Sequence, residues 1–145
     1  MNIIETFRKQ LSDCPLMDEF NGVHIDYTEA KTGTAGLFNN GAVKIGEDLI
    51  GNPRYQIVFE LVTSNRAAIE YDRLLNSDFF LKLTYYLNSI KGIVTREVVN
   101  GEEYPAVIQT VNCSNQLLYS VPTGDMNDGV QYSFRITATY IIEIE

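Results

Sequence analysis

The chain has 145 residues, of which 45% are hydrophobic and 21% charged, and its formal net charge is -8. This size fits one domain with an ordinary core, and the composition excludes general disorder. The acidic balance opposes non-specific binding to nucleic acid, which needs clustered lysine and arginine. We expect neither a signal peptide nor a membrane span, because the sequence has no long uncharged apolar run. Cys14 and Cys113 lie far apart without a C-x-x-C pattern, so we expect two reduced thiols.

The N-terminal segment carries the signals of a helix followed by a short strand. Asn2 and Glu5 resemble a capping box, and Pro15 disfavours helix at the residue before it, which ends the helix. Alternation over 22–27 predicts a short strand that leads into an irregular stretch, DYTEAKTGTAGLFNNG, at 26–41. So long a loop in a compact domain is usually functional or disordered. The apolar residues at helical spacing in the first segment are Ile3, Ile4, Phe7 and Leu11.

The next segment predicts two strands separated by a turn. Residues 42–46 indicate a brief strand, and Gly51-Asn52-Pro53 is a turn signal. Residues 54–63 alternate with apolar side chains on both faces. Because both faces are apolar, we expect this second strand to be central and partly covered on both sides.

A helical region follows the central strand. Two helical segments are predicted over 66–75 and 78–90, separated by Asn76-Ser77-Asp78. The region is therefore either one kinked helix or two helices, and Gly92 is expected to stop it. The residues that can cap these segments are Ser64 or Asn65 for the first and Ser77 for the second.

The C-terminal third predicts β-structure. Residues 106–112 and 116–121 are strand candidates, or one long strand with a bulge at 113–115. A polar turn over 121–129 precedes a long final strand from Gln131 onward. The side chains on the apolar face of that strand are Tyr132, Phe134, Ile136, Ala138, Tyr140, Ile142 and Ile144.

These elements together predict a single α+β domain over residues 1–145. Its sheet is expected to be mixed or antiparallel, flanked by an N-terminal helix and by a central kinked or paired helix.

The sequence offers little chemistry for catalysis. His24 and Asp26 would share one face of the predicted strand, but no nucleophile pattern accompanies them. One histidine and two remote cysteines give no metal-ligand spacing, and Gly33 and Gly36 form no phosphate-binding loop. We therefore predict no enzyme, no catalytic residue, no cofactor and no metal site. The acidic residues expected to be solvated turn charges are Glu102, Glu103, Asp125 and Asp128.

Two segments resemble a known family. The stretch DYTEAKTGTAGLFNNG and the stretch GNPRYQIVFELVTSNRAAIEYDRLLNSDFFLKLTYYLN are similar to small phage proteins from prophages of Gram-positive bacteria. These minor capsid proteins are similar to the tail terminators (tail completion proteins) of long-tailed phages, and tail-like bacteriocins, including those of clostridia, carry them too. The resemblance covers 26–88, and its most specific parts are 26–29, the step Gly33-x-x-Gly36-Leu37 and 65–88.

The resemblance implies a tail-terminator-like α+β fold and a structural role. Such a protein forms a homo-hexameric ring that caps the head-proximal end of the tail tube, halts tube polymerisation and contacts the neck or connector. Its partners are its own copies, the tube protein, the sheath where a tail has one, and neck proteins. It is assembled in the host cytoplasm into a virion or tail-like particle. Six copies with a charge of -8 each carry -48, so DNA would pass through the lumen without being bound, and no membrane is involved.

We expect the assembly interface to use the irregular stretch, the 121–129 turn and the exposed edge of the final strand. The glycines let the stretch bend, and Leu37-Phe38 would supply an apolar anchor for a neighbour. Deleting 31–40 should then leave a folded protomer that forms no rings. The residues expected at the interface are Thr28, Lys31, Thr32, Gly33, Gly36, Leu37, Phe38, Asn39, Asn40, Asp125 and Asp128.

Two other functions are compatible with the sequence. A head-completion or stopper protein would also form a ring but would bind the portal side. A cytoplasmic α+β domain that binds a small molecule would line its pocket with aromatic side chains, for which the candidates are Tyr55, Phe59, Tyr132 and Phe134.

Overall fold

The computed structural model describes residues 1–18, 20, 22–26, 35–65, 70–120 and 130–145. Over these residues the chain forms one α+β domain with two α-helices and six strands. The helices are α1 (Ile3–Asp13) and α2 (Glu70–Asn88), and a short 3-10 turn spans Pro15–Met17. The strands are β1 (Val23–Ile25), β2 (Ala35–Glu47), β3 (Pro53–Asn65), β4 (Val94–Val99), β5 (Glu102–Ser120) and β6 (Val130–Ile142).

The six strands form one mixed sheet in the order β1-β2-β3-β6-β5-β4. β1 runs parallel to β2, and all other neighbours in the sheet are antiparallel. β3 and β6 stay in register from the pair Arg54–Ile141 to the pair Asn65–Val130. The expected central position of the 54–63 strand is confirmed. The expected free edge on the final strand is wrong, because β6 lies between β3 and β5.

Both helices pack on the same face of the sheet. Phe7 of α1 lies 5.1 Å from Phe59, and Phe80 of α2 lies 5.4 Å from Phe134, measured between ring centroids. Phe59 and Phe134 share one face of the sheet, because Phe134 is directly opposite Leu61, two residues beyond Phe59. A single apolar cluster therefore joins α1, α2 and one side of the sheet.

The start and end of α1 are confirmed. The Asn2 side chain accepts a hydrogen bond of 2.9 Å from the N–H of Glu5, which satisfies one of the free amides of the first turn. The helix ends at Asp13, and the N–H of Cys14 donates to the carbonyl of Leu11 just before Pro15.

Of the two alternatives for the second helical region, the single helix is confirmed and the pair of helices is wrong. α2 continues through 76–78 as one helix, and Asn76 is buried on its inner side. Ser64 and Asn65 belong to β3, so they do not cap α2. Burial of Phe80 and its apolar neighbours on α2 outweighs the poor helix propensity of Asn, Ser and Asp at the break.

The bulged long strand is confirmed, and a hairpin in front of it was not predicted. β5 shifts register against β6 between Ser114 and Leu117, at the predicted bulge. β5 begins earlier than expected, at Glu102, and pairs with β4 through the turn residues Asn100 and Gly101, whose φ angles are +52° and +84°. Two positive φ angles are typical of a type I′ hairpin turn. Glu102 and Glu103 are exposed as expected, but they lie in β5 and not in a turn.

Candidate assembly surfaces

Part of the stretch expected to be an irregular arm is a strand in the core. Residues 35–41 belong to β2, and Ala35, Gly36 and Leu37 pair with β1 on one side and β3 on the other. The Leu37 side chain is only 1% exposed. Leu37 therefore stabilises the protomer. The prediction that Leu37 anchors a neighbouring copy is wrong, because its side chain is buried. The predicted interface residues outside the described part of the chain are Thr28, Lys31, Thr32, Gly33, Asp125 and Asp128.

The other predicted interface residues, Phe38, Asn39 and Asn40, lie just beyond the point where the pairing of β2 with β1 ends. Phe38 is half-buried, while Asn39 and Asn40 are exposed. The Asn39 side chain accepts from the N–H of Gly41 at 2.8 Å, and Gly41 has a φ of +101°. The register of β2 against β3 shifts at this point. Asn39 thus shapes a bulge, after which β2 continues beside β3 as an exposed edge strand.

His24 and Asp26 do not form the same-face pair that a regular strand would give. β1 ends at Ile25, and Asp26 has a φ of +53°, so the chain turns away from the strand direction. The Asp26 carboxylate accepts from the N–H of Asn39 at 3.2 Å, which satisfies an amide on the outer edge of β2. The role of Asp26 here is structural.

Beyond the bulge, β2 and the turn to β3 form a mostly exposed edge of the sheet, and we call residues 42–52 the arm. β1 pairs only with residues 35–37 of β2, so within the described part of the chain the arm has β3 as its only strand neighbour along β2. A second register shift, between Lys44 and Gly46, interrupts the open edge again. The large apolar side chains that the arm exposes are Val43, Ile45, Leu49 and Ile50.

The turn at the end of the arm is held by a compact set of hydrogen bonds. The Asp48 carboxylate accepts from the N–H of Ile50 at 3.0 Å, from the N–H of Asn52 at 2.8 Å and from the Asn52 amide at 3.0 Å. Desolvation acts to raise the pKa of Asp48, but the hydrogen bonds from Asn52 and Ile50 outweigh it, so the pKa lies below its ordinary value. Gly51 supplies a φ of +94°. Leu49 is fully exposed on this turn.

The opposite edge of the sheet, β4, is partly covered by the start of the chain. The N–H of Arg96 donates to the carbonyl of Met1 at 2.9 Å, and the N–H of Ile3 donates to Glu97 Oε1 at 2.7 Å. Burial raises the pKa of Glu97, although the hydrogen bonds from Ile3 and Thr95 act in the other direction. A covered edge is less open to pairing with another strand than the arm is.

The aromatic residues proposed for a ligand pocket pack in the core instead. Phe59 packs against Phe7, as described above, and Tyr132 lies 5.3 Å from Phe80 between ring centroids. Tyr55 stacks on Tyr140 at 5.8 Å. These contacts are core packing.

The exposed apolar residues of the arm were missed by the sequence analysis, although a signal was present. Leu49-Ile50 directly precedes the turn signal Gly51-Asn52-Pro53, and two large apolar residues in a turn have no core to enter.

Among the residues described, no group of three or more His, Cys, Asp or Glu side chains could hold a metal ion.

Neither helix in the described ranges is long and apolar enough to cross a membrane. No protein-family model and no curated protein matches this chain.

Proposed function

We propose that this chain is a tail terminator, a structural protein that forms a hexameric ring on the head-proximal end of a tail tube and stops its polymerisation. The observation that carries the proposal is the arm, which exposes Val43, Ile45, Leu49 and Ile50 on an ordered hairpin. Four large apolar side chains exposed within eight residues of sequence make this segment a candidate interaction surface. The arm also lies inside 26–88, the part of the chain that resembles the terminator family.

Ring formation needs two different surfaces on each protomer that bind each other head to tail. The sheet has two edges of different character, with β1 and β2 at one end and β4 at the other. Edges that differ in sequence suit a heterologous contact. Such a contact closes into a ring when a whole number of the rotations between neighbouring copies adds up to 360°. A third surface must contact the tube. On this proposal the protein is a component of a virion or tail-like particle, and its work is binding.

The test is tube assembly with and without this chain. Purified tube protein of the same particle is polymerised alone and with this protein added before and during growth, and tube length is measured by negative-stain electron microscopy. We expect shorter tubes that carry one extra ring at a single end, and native mass spectrometry should show six copies in that ring. Unchanged tube lengths with no ring at the ends would refute the proposal. A ring that binds the portal-side connector without affecting tube length would support a stopper protein instead.

A further inference from the structure

We infer that the arm of one copy docks on the outer side of β4 in a second copy of this chain. We call the receiving surface the β4 strip and define it as Val94, Arg96 and Val98, together with Lys91 just before the strand. The inference deepens the proposed function and rests on it for the closure of six copies into a ring. The contact itself can be tested without a tube.

The β4 strip lies on the face of the sheet that carries neither helix. Thr95 is buried, and Glu97 accepts a hydrogen bond from the first residue of α1, so these two residues face the helices. Successive side chains of a strand point to opposite faces, so the strand residues of the strip point away from the helices. Pro105 and Val107 of β5 are half-exposed and lie directly opposite two residues of the strip. The strip is therefore part of an apolar surface that has a cation at its centre.

The exposed large apolar side chains of the described chain gather in two places. Four belong to the arm and two to the β4 strip. Met1 is exposed beside the strip, where its carbonyl accepts from the N–H of Arg96. Ile144 is exposed beside the arm, because it directly precedes the residue that is bonded to Asn52. The only two of the described residues in this class that lie elsewhere are on α2, Leu81 and Tyr85.

A contact between the arm and the β4 strip joins two copies. β3, β6 and β5 lie between β2 and β4 in the sheet, and both surfaces are exposed in the protomer. An arm that covers a strip therefore belongs to a different copy. Each copy has one arm and one strip, so the contact is heterologous and can be repeated from copy to copy.

The arm carries an excess of negative charge. Asp48 lies in the turn, and the side chain of Glu145 is held beside Gly51. Glu47 pairs with Lys44 at 2.9 Å, so the lysine of the arm is already neutralised. A partner surface with exposed cations complements these carboxylates.

The β4 strip supplies such cations. Lys91 and Arg96 are exposed. Arg96 pairs with Glu103 at 4.0 Å, but both side chains are more than half exposed, and such a pair contributes little, so Arg96 remains available to the arm. The net charge of -8 is spread over the chain, and at about 0.15 M salt charges more than about 8 Å apart are largely screened. The close charges therefore decide which surfaces meet.

The contact is made by side chains, because neither edge strand is suited to pair with a strand of another copy. The two register shifts described above break the open edge of β2. On β4, the N–H of Arg96 is already bonded to Met1. Leu49 and Ile50 project from a turn that Asp48 holds in one conformation, and rigid presentation lowers the entropy cost of docking.

The first experiment measures self-association by sedimentation velocity, with thermal unfolding as a check that each variant is folded. Leu49→Ser with Ile50→Ser alters the arm, Val94→Ser with Val98→Ser alters the strip, and Leu81→Ser with Tyr85→Ser is the matched control on α2. The arm and strip variants should each associate at least about tenfold more weakly than the wild type, and the control should not. Mixing the arm variant with the strip variant should give a one-to-one complex, because one retains an intact strip and the other an intact arm.

The other outcomes are distinct. If the arm variant associates as the wild type does, or if the mixture forms no complex, the inference is wrong. A wild-type protein that remains monomeric at about 0.5 mM, where even a contact of millimolar affinity is partly occupied, would also overturn it. Hexamers that form in spite of both variants contradict the inference and leave the proposed function standing. Closed dimers built on this contact support the inference and contradict the hexameric ring.

The second experiment tests the charge of the strip. Arg96→Glu reverses a cation of the strip, and Lys82→Glu is the matched control on α2, since Lys82 is also exposed and paired with a carboxylate of its own chain, Asp78. The two variants have the same net charge. We expect Arg96→Glu to weaken self-association by about tenfold relative to Lys82→Glu, because it places a carboxylate against the acidic arm. Equal association of the two variants would overturn the choice of a second copy as the partner.

Discussion

The side-chain oxygen of Asn52 accepts a hydrogen bond of 2.8 Å from the backbone N–H of Glu145. This contact joins the turn of the arm to the residues that follow β6, across 93 positions of sequence. Asn52 is 4% exposed, and its own N–H and side-chain amide are bound by Asp48. One side chain therefore connects the arm to the centre of the sheet, and it fixes the direction in which Leu49 and Ile50 project.

Replacing Asn52 should loosen this connection. In Asn52→Ala the N–H of Glu145 and the carboxylate of Asp48 each lose a partner in a partly buried place, so we expect the free energy of unfolding to fall by about 1–3 kcal/mol. Urea denaturation measures the change. Asn40→Ala, at an exposed position of β2, is the control and should change stability by less than about 0.5 kcal/mol. Equal stability of both variants would mean that Asn52 does not hold the turn.

Two adjacent residues of α2 should respond very differently to truncation. Phe80 is 1% exposed and packs on Phe134, whereas Leu81 is 51% exposed. We expect Phe80→Ala to cost about 3–5 kcal/mol because it leaves a cavity in the core, and Leu81→Ala to cost less than about 1 kcal/mol. Chemical denaturation of both variants measures the difference. Similar losses at the two positions would show that α2 is rotated so that Leu81 also faces the core.

The half-buried carboxylate of Glu97 should give the protein a characteristic dependence on pH. Burial raises its pKa above the ordinary 4.5, while the N-terminal amino group lowers it and Glu5 raises it further. A raised pKa means that the folded state holds the proton more tightly, so the contribution of Glu97 to stability is fully present below about pH 4.5 and is lost as pH rises through the folded-state pKa. Glu97→Gln keeps the acceptor for the N–H of Ile3 but does not titrate.

The measurement is the difference in unfolding free energy between wild type and Glu97→Gln as a function of pH. We expect the wild type to lose stability relative to the variant as pH increases across this window. Glu103→Gln, on the neighbouring strand and exposed, controls for the change in net charge. A difference that stays constant with pH would show that Glu97 is not perturbed by its burial.

Two glycines with open space where a Cβ would lie should tolerate alanine unequally. Gly101 has a φ of +84° in the β4–β5 turn, and Gly46 has no such conformation; a Cβ would meet open space at both positions. Gly101→Ala should destabilise the protein by about 1 kcal/mol because alanine disfavours a positive φ, while Gly46→Ala should be neutral or slightly stabilising. Thermal unfolding of the pair separates the backbone effect from any effect of added volume. Equal melting temperatures would contradict the assigned turn.

The two thiols should be unreactive in the native protein. Burial raises the pKa of Cys113 to about 12 and also raises the pKa of the buried Cys14. Since the thiolate is the reactive form, iodoacetamide at about pH 8 should modify neither residue in the folded state and both in denaturant. Mass spectrometry after a short pulse of reagent measures the labelling. Rapid native modification of Cys113 would show that β5 opens near its bulge.

Elements that carry their own local signals could be predicted from the sequence. The cap at Asn2 and the stop at Pro15 defined α1 to within a residue or two. Strict alternation from Gln131 onward defined β6, and the polar residues at 113–115 marked the bulge of β5. In each case the local preference agrees with the tertiary structure, which is the usual condition for such predictions to succeed.

Elements that depend on distant partners could not be predicted in this way. The glycine, threonine and asparagine content of 26–41 indicated a loop, yet β1 and β3 on its two sides make 35–41 a strand. The expected survival of a fold without 31–40 is therefore wrong, because that deletion would remove the buried Ala35 and Leu37. The exposed apolar residues of the arm were missed because their exposure depends on where β1 stops pairing with β2, which the local sequence does not show. The β4–β5 hairpin had a readable signal, Asn100-Gly101, that was not used.

The central position of β6 also constrains when the protein can fold during its synthesis. β3 and β5 are made first, but the strand that lies between them is made after both. A ribosome must therefore release the chain through Ile142 before the middle of the sheet can form, and until then β3 and β5 each have one edge without its partner strand. Such long-range pairing is slow, and the unpaired strands are prone to association. The part of the sheet from β3 to β5 is therefore completed only after the chain through Ile142 has been made.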